Sequence, residues 1–97
     1  MVLKIAPQAL KDIRTVDAWW RANRPAARHL LRAELRKAFR LLREHPHVGS
    51  HGLHVLARGI RRLYLRKTRY FIYYSVRGED VEILRVWHSS RKVEPRF

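Results

Sequence analysis

The residues best suited to chemistry lie in the last third of the chain, in the tetrapeptide 66–69 and in the segment 88–91. Histidine changes its charge near neutral pH, and lysine and arginine bind phosphate and carboxylate groups. A basic corner with one titratable histidine would suit anion binding or acid–base chemistry. The candidate members of this basic corner are Arg66, Lys67, Arg69, His88 and Arg91.

A predicted sheet brings the two segments together. Runs 60–65, 70–76 and 81–87 are rich in β-branched and aromatic residues and are separated by short polar breaks, which predicts an antiparallel meander. Two hairpins make the first and third strands parallel, so the end of the third returns beside the turn 66–69. Arg61 lies at the opposite end. The alternative is that the corner is only a set of solvated strand ends.

The pattern of side chains predicts which strand faces are buried. The middle run is apolar at nearly every position, which favours a central strand covered on both faces. Apolar and polar residues alternate in the two flanking runs. The face of the first run that carries Leu63 and Leu65 is predicted to face the core, and so is the face of the third run that carries Leu84 and Val86. His88 shares the second of these faces.

The N-terminal half predicts one strand and two helices. Residues 2–6 suit a short strand, and a helix is predicted from Pro7 to about Ala22, with Trp20 in the core and Trp19 exposed. Asn23 is predicted as a left-handed C-cap. A second helix is predicted over 26–44, and its polar face carries Arg28, Arg32, Arg36, Arg40 and Arg43. The predicted fold class is α+β, with an α-helical hairpin packed on a small antiparallel sheet that ends in the three-strand meander.

Composition limits the possible functions. The chain has 97 residues, enough for a single domain, and 22 Lys and Arg against 8 Asp and Glu give a net charge of +14. Such a charge favours polyanions or acidic proteins as partners. There is no cysteine, no signal-like N-terminus and no apolar run of membrane-spanning length. We therefore predict a cytoplasmic protein without membrane association.

Four histidines lie in the loop predicted over 45–59, at His45, His47, His51 and His54. Their density raises the possibility of a metal site. No carboxylate joins them and their spacing matches no zinc motif, so surface histidines are the preferred interpretation. We predict no metal and no cofactor.

The order of several short motifs resembles a known superfamily. A strand and a helical hairpin precede Pro46-x-x-Gly49, Arg61-x-Leu63, a tyrosine-rich strand that ends at Tyr74, and Val-Trp-His88-x-x-Arg91. This arrangement resembles the RelE/ParE superfamily of bacterial toxins, and the closing WHSSR is more similar to the ParE side. The resemblance implies the toxin of a type II toxin–antitoxin pair, with growth arrest or plasmid stabilisation as its role and an acidic antitoxin as its partner.

The ParE resemblance implies an inhibitor of DNA gyrase that traps the enzyme with its DNA cleaved. Such a poison needs a binding surface and no catalytic group. The predicted surface for the target or the antitoxin comprises Arg61, Arg66, Lys67, Arg69, Tyr74, His88, Arg91, Arg96 and Phe97. Lys92 adds charge to the tail, in which Phe97 is a possible apolar anchor. A frayed C-terminus is the alternative for this tail.

The RelE resemblance implies a ribosome-dependent endoribonuclease acting on mRNA. His88 would then be the acid or base, with Arg61, Arg66 or Arg91 on the phosphate and Tyr73 or Tyr74 stacked on a base. RNA-cutting relatives often carry a catalytic tyrosine after the last strand, and this chain has none there. A third possibility, a plain nucleic-acid-binding module, lacks a recognisable base-reading element. The gyrase poison is preferred.

Overall fold

The computed structural model describes residues 2–50 and 59–97, which form two helices and four strands. The elements in chain order are β1 (Leu3–Ile5), α1 (Pro7–Asn23), α2 (Leu30–Glu44), β2 (Ile60–Leu65), β3 (Tyr70–Arg77) and β4 (Asp80–His88), with one 3-10 turn at Pro25–Ala27 between the helices. The predicted α+β class is confirmed.

The four strands form one sheet in the order β1-β4-β3-β2. The pairs β2–β3 and β3–β4 are antiparallel, as predicted for the meander, and Tyr70 lies between Leu65 of β2 and His88 of β4. β1 joins the outer edge of β4 in parallel, with Leu3 opposite Val81. The sheet is therefore mixed rather than antiparallel throughout as predicted, because β1 adds to β4 in parallel, and β2 forms its other edge.

The helices begin and end close to their predicted bounds, with two differences. Asn23 stays within α1 and its side-chain amide donates to the carbonyl of Trp19 at 2.8 Å, so the left-handed cap was wrong. α2 begins at Leu30 rather than at residue 26. The carbonyl of Ala27 accepts a hydrogen bond from the indole of Trp20 at 2.8 Å, which fixes a 3-10 turn where the longer helix was predicted.

The core lies between the two helices and one face of the sheet. α2 contributes residues at helical spacing, and Trp20 is 8% exposed whereas Trp19 is 48% exposed, as predicted. The buried apolar residues are Ala9, Trp20, Leu31, Leu35, Ala38, Leu42, Leu65, Tyr70, Ile72, Tyr74, Val81, Ile83 and Val86.

A β-bulge in β4 changes which residues face the core. Tyr73 pairs with Arg85 but Tyr74 pairs with Ile83, so Leu84 has no partner in the ladder. The predicted orientation of Leu84 was therefore wrong, because Ile83 is fully buried and Leu84 only half-buried. Beyond the bulge the prediction holds, and Val86 faces the core.

Two ion pairs tie α1 to its neighbours. Asp12 accepts two hydrogen bonds from Arg85, at 2.7 and 3.1 Å, and a third from the amide of Val86, where β1 no longer covers the edge of β4. Asp17 accepts two from Arg32 of α2, at 2.8 and 3.1 Å. Among the described residues, no helix is both long and apolar enough to cross a membrane.

Candidate functional site

The β2–β3 turn, residues 66–69, is held in place by α2. The carboxylate of Glu34 accepts hydrogen bonds from the amides of Lys67 and Thr68, at 2.8 and 2.9 Å, and from the hydroxyl of Thr68 at 2.6 Å. Thr68 is only 3% exposed. Arg69 closes the turn with φ at 67°, a conformation that favours glycine. The backbone on the N-terminal side of Arg69 is therefore held in place by Glu34.

His88 lies beside this turn at the end of β4. The amide of Ser89 donates to the carbonyl of Arg69 at 2.9 Å, and the His88 ring contacts Tyr70 edge-on at 4.8 Å between centroids. The amide of Ser90 donates to Nδ1 of His88 at 3.1 Å, and the hydroxyl of Ser90 lies 2.7 Å from the same nitrogen. Since Nδ1 accepts a backbone hydrogen bond, the neutral ring carries its proton on Nε2.

Burial lowers the pKa of His88 below its usual 6.5, and the positive charges of Arg69 and Arg91 lower this pKa further. The imidazole is consequently neutral at neutral pH. Its Nε2–H is a hydrogen-bond donor, and the two guanidinium groups supply positive charge. This arrangement suits the binding of an anion.

The predicted basic corner divides into two parts. Arg69 and Arg91 lie near His88. His88 and Arg91 line a cleft of about 580 Å³ between the sheet and α1. Arg66 and Lys67 instead line a groove of about 680 Å³ between α2 and β2. The turn lies beside the end of β4, as predicted, but Arg66 and Lys67 do not line the His88 cleft, because the turn directs these two residues towards α2.

Arg61 lies at the far end of the sheet, as predicted. It pairs with Tyr74, four residues along β3 from Tyr70, the partner of His88. Four residues of strand span about 13 Å, so Arg61 and His88 cannot bind one phosphate. The guanidinium of Arg61 donates to the carbonyls of His47 and Gly49, at 3.0 and 2.9 Å. It thereby holds the chain that follows α2.

The two tyrosines proposed for recognition are buried. Tyr74 is fully buried and Tyr73 is 2% exposed, so neither presents a surface to a partner or stacks on a base in this structure. The predicted binding role of Tyr74 and the stacking roles of both residues were therefore wrong. Tyr74 instead accepts a hydrogen bond from the amide of Gly49 at 2.8 Å.

The C-terminal tail, residues 89–97, folds back over the outer face of the sheet. The hydroxyl of Tyr73 donates to Glu94 at 2.9 Å, the indole of Trp87 to the carbonyl of Val93 at 3.0 Å, and Arg85 to the carbonyl of Arg96 at 2.9 Å. The ring of Phe97 lies 5.4 Å from that of Tyr73. The tail is thus anchored rather than frayed, and it covers Tyr73 on the second face of β3.

The anchored tail still leaves groups for a partner. Phe97 is 52% exposed despite its contact with Tyr73, and the side chains of Lys92 and Arg96 are also exposed. Arg91 is exposed too, and its guanidinium lies 3.9 Å from the centre of the Trp87 ring. Cations and one apolar ring therefore lie along an ordered segment.

Of the four loop histidines, His45 and His47 lie in the described part of the chain, whereas His51 and His54 lie outside it. Within residues 2–50 and 59–97, no group of three or more histidine, aspartate or glutamate side chains is arranged to hold a metal ion.

Sequence reasoning missed several residues that shape the site. Glu34 and Asp12 organise the turn and β4, although nothing in their local sequence distinguishes them from other surface carboxylates. Tyr64, Phe71 and Trp87 come together across three strands on the outer face. Their aromatic character and strand parity were visible, but their alignment depends on the register.

Comparison with known proteins places the chain among toxins. A family model described as the ParE toxin of the type II toxin–antitoxin system parDE matches residues 3–93. No curated protein sequence matches the chain significantly.

Solved structures share the fold at low sequence identity. A chain of the chromosomal ParDE system from P. aeruginosa superposes with a TM-score of 0.74 and 19% identity, covering 91% of this chain and 95% of that one. The E. coli DinJ–YafQ toxin–antitoxin complex contains a chain with a TM-score of 0.62 and 15% identity, covering 89% of each. The isolated E. coli RelE toxin superposes with a TM-score of 0.54 and 22% identity, covering 94% of this chain and 86% of that one.

Proposed function

Because the chain belongs to the ParE toxin family of type II toxin–antitoxin systems, we propose that it arrests growth by trapping DNA gyrase on cleaved DNA, and that an acidic antitoxin neutralises it. The observation that carries this proposal is the ordered surface made by the cations Arg69 and Arg91, the neutral ring of His88 and the anchored tail. A poison needs only such a binding surface.

Charge supports the proposed antitoxin. The chain carries a net charge of +14, and the exposed face of α2 adds Arg36 and Arg40 to the cations of the tail. An acidic partner would associate with this surface rapidly and in a salt-dependent way. The similar structures named above include a toxin–antitoxin complex from E. coli and a ParDE system, which supports a partner of this kind.

Endoribonuclease activity is the weaker proposal. Cleavage by 2′-hydroxyl attack needs a base, an acid and positive charge around one phosphate. In the basic corner, only His88 has an ordinary pKa near neutrality, so a second acid or base is lacking there. Arg61 lies at the other end of the sheet, and Tyr73 and Tyr74 are buried. The corner therefore suits binding better than RNA cleavage.

The decisive experiment incubates the purified protein with gyrase, ATP and relaxed plasmid. Supercoiling should stop, and linear DNA should appear once the proteins are denatured. Arg91→Gln should weaken both effects. Arg77→Gln is the matched control. Arg77, like Arg91, is exposed, and its replacement removes the same charge at the far end of β3 from His88.

Unaffected supercoiling at saturating protein would contradict the proposal. The same preparation should then be added to a cell-free translation reaction, where truncation of mRNA would support the ribosome as the target. Equal inhibition by the wild type and Arg91→Gln would remove Arg91 from the gyrase-binding surface.

A further inference from the structure

The outer face of the sheet carries a row of three aromatic side chains. Tyr64 of β2 lies opposite Phe71 of β3, and Phe71 lies opposite Trp87 of β4. The rings of Tyr64 and Phe71 are 5.1 Å apart between centroids. Because paired strands are about 4.8 Å apart, the register places these three residues side by side on one face across β2, β3 and β4. We call Tyr64, Phe71 and Trp87 the aromatic row.

Arginine side chains lie against this row. The guanidinium of Arg62 lies 3.9 Å from the centre of the Phe71 ring, and that of Arg91 lies 3.9 Å from the centre of the Trp87 ring. Two flat cationic groups thus stack on two of the three rings. Guanidinium planes and aromatic rings are the two kinds of protein surface on which unpaired nucleobases stack.

The ring of Tyr64 remains accessible, although the tail covers Tyr73 on the same face and accepts a hydrogen bond from the indole of Trp87. Tyr73, on the same face, is covered by Phe97 and is only 2% exposed, whereas Tyr64 is 44% exposed. Beside Tyr64 is a hollow of about 480 Å³, lined by Arg62, Tyr64, Phe71 and the hydroxyl-bearing Ser50 and Ser89. The hollow offers a base the exposed ring of Tyr64, the guanidinium of Arg62 and two hydroxyl groups.

We infer that the aromatic row, with Arg62 and Arg91, binds single-stranded DNA. Stacking on rings and charge attraction to phosphates are together the general mode of binding for unpaired strands. The bases of an intact duplex are stacked on each other and leave no face for these rings. The choice of DNA rather than RNA rests on the proposed function, since gyrase acts on DNA.

The test measures fluorescence anisotropy of a labelled oligothymidylate titrated with the purified protein. Tyr64→Leu and Phe71→Leu keep an apolar side chain but remove a stacking ring, so each should weaken binding by roughly tenfold or more. Leu10→Ala is the control, because Leu10 is 39% exposed on α1 and lies outside the row. Circular dichroism should show that all three variants are folded.

Charge needs its own control, since any protein this basic binds DNA to some extent. Arg62→Gln and Arg77→Gln lower the net charge equally, but only Arg62 lies in the row. A larger loss of affinity for Arg62→Gln supports the inference. Equal losses for the two variants would overturn it, and so would binding of a duplex as tight as that of the oligothymidylate.

Two further comparisons complete the test. Tighter binding of oligouridylate than of oligothymidylate would overturn the assignment to DNA. The gyrase assay on the same samples separates this inference from the proposed function. Protein that binds oligothymidylate through the row but leaves gyrase unaffected supports the row and contradicts the gyrase proposal. Gyrase inhibition without oligothymidylate binding contradicts only the inference that the aromatic row binds single-stranded DNA.

Discussion

The amide of Gly49 donates a hydrogen bond of 2.8 Å to the hydroxyl of Tyr74, a residue that is fully buried in the middle of the sheet. A Cβ atom at position 49 would lie 2.6 Å from that hydroxyl and 3.0 Å from the carbonyl oxygen of Arg62. The chain after α2 can therefore approach the sheet only where a side chain is lacking.

Gly49→Ala should lower the free energy of unfolding by about 1–3 kcal/mol, because neither the buried ring nor the backbone of β2 can move away freely. Urea unfolding followed by circular dichroism measures this change. Tyr74→Phe alone should cost about 1 kcal/mol, since it leaves the Gly49 amide without its acceptor. The double variant should be less destabilised than the sum of the two, and simple additivity would contradict the predicted clash.

Two ion pairs of α1 should differ in their contribution to stability. The side chains of Asp12 and Arg85 are 12% and 13% exposed, whereas Arg32, the partner of Asp17, is 51% exposed. Asp12→Asn should cost about 2–3 kcal/mol, because it weakens a shielded pair and the bond to the Val86 amide. Asp17→Asn, the matched control, should cost less than about 1 kcal/mol. Equal costs in urea unfolding would contradict this ranking.

Arg69 carries a charge of the proposed binding surface on an unfavourable backbone conformation. Its φ of 67° suits asparagine better than arginine, so Arg69→Asn should leave the free energy of unfolding unchanged or raise it by up to about 1 kcal/mol. The same variant should weaken gyrase inhibition, because it removes a cation beside His88. Thermal unfolding and the supercoiling assay test the two effects. Lower stability with full inhibition would contradict both expectations.

The lowered pKa of His88 makes stability depend on pH with a defined sign. Folding favours the neutral ring, so between the folded pKa and the ordinary value of 6.5 the unfolded chain binds more protons than the folded one. This contribution is fully present above about pH 6.5 and is lost as the pH falls through the window below it. In His88→Asn, which keeps an acceptor for the Ser90 amide, the decrease should be smaller.

Measurements of the free energy of unfolding at several pH values compare the two proteins. The difference curve isolates the titration of His88 from that of the other histidines. NMR titration of the His88 ring should give a midpoint below 6.5. A midpoint above 6.5, or parallel stability curves, would contradict the predicted burial of the ring.

Local patterns in the sequence sufficed for the elements and for much of their placement. The helical period of α2, the position of Pro7 and the β-branched runs identified the helices and strands to within a few residues. Two hairpins require the end of β4 to return beside the β2–β3 turn, so the approach of His88 to Arg69 followed from connectivity alone. These features depend on neighbours in sequence, which is why they are visible in it.

Tertiary structure decided the rest, because contacts between distant residues leave no local signal. The bulge at Leu84 directs the side chain of Ile83 towards the core, and the C-terminal tail buries Tyr73. Register alone aligned Tyr64, Phe71 and Trp87, and a shift of one residue would place them on opposite faces. The sequence by itself determined the α+β toxin fold and the neighbourhood of His88. Packing between distant segments determined which arginines and rings are available for binding.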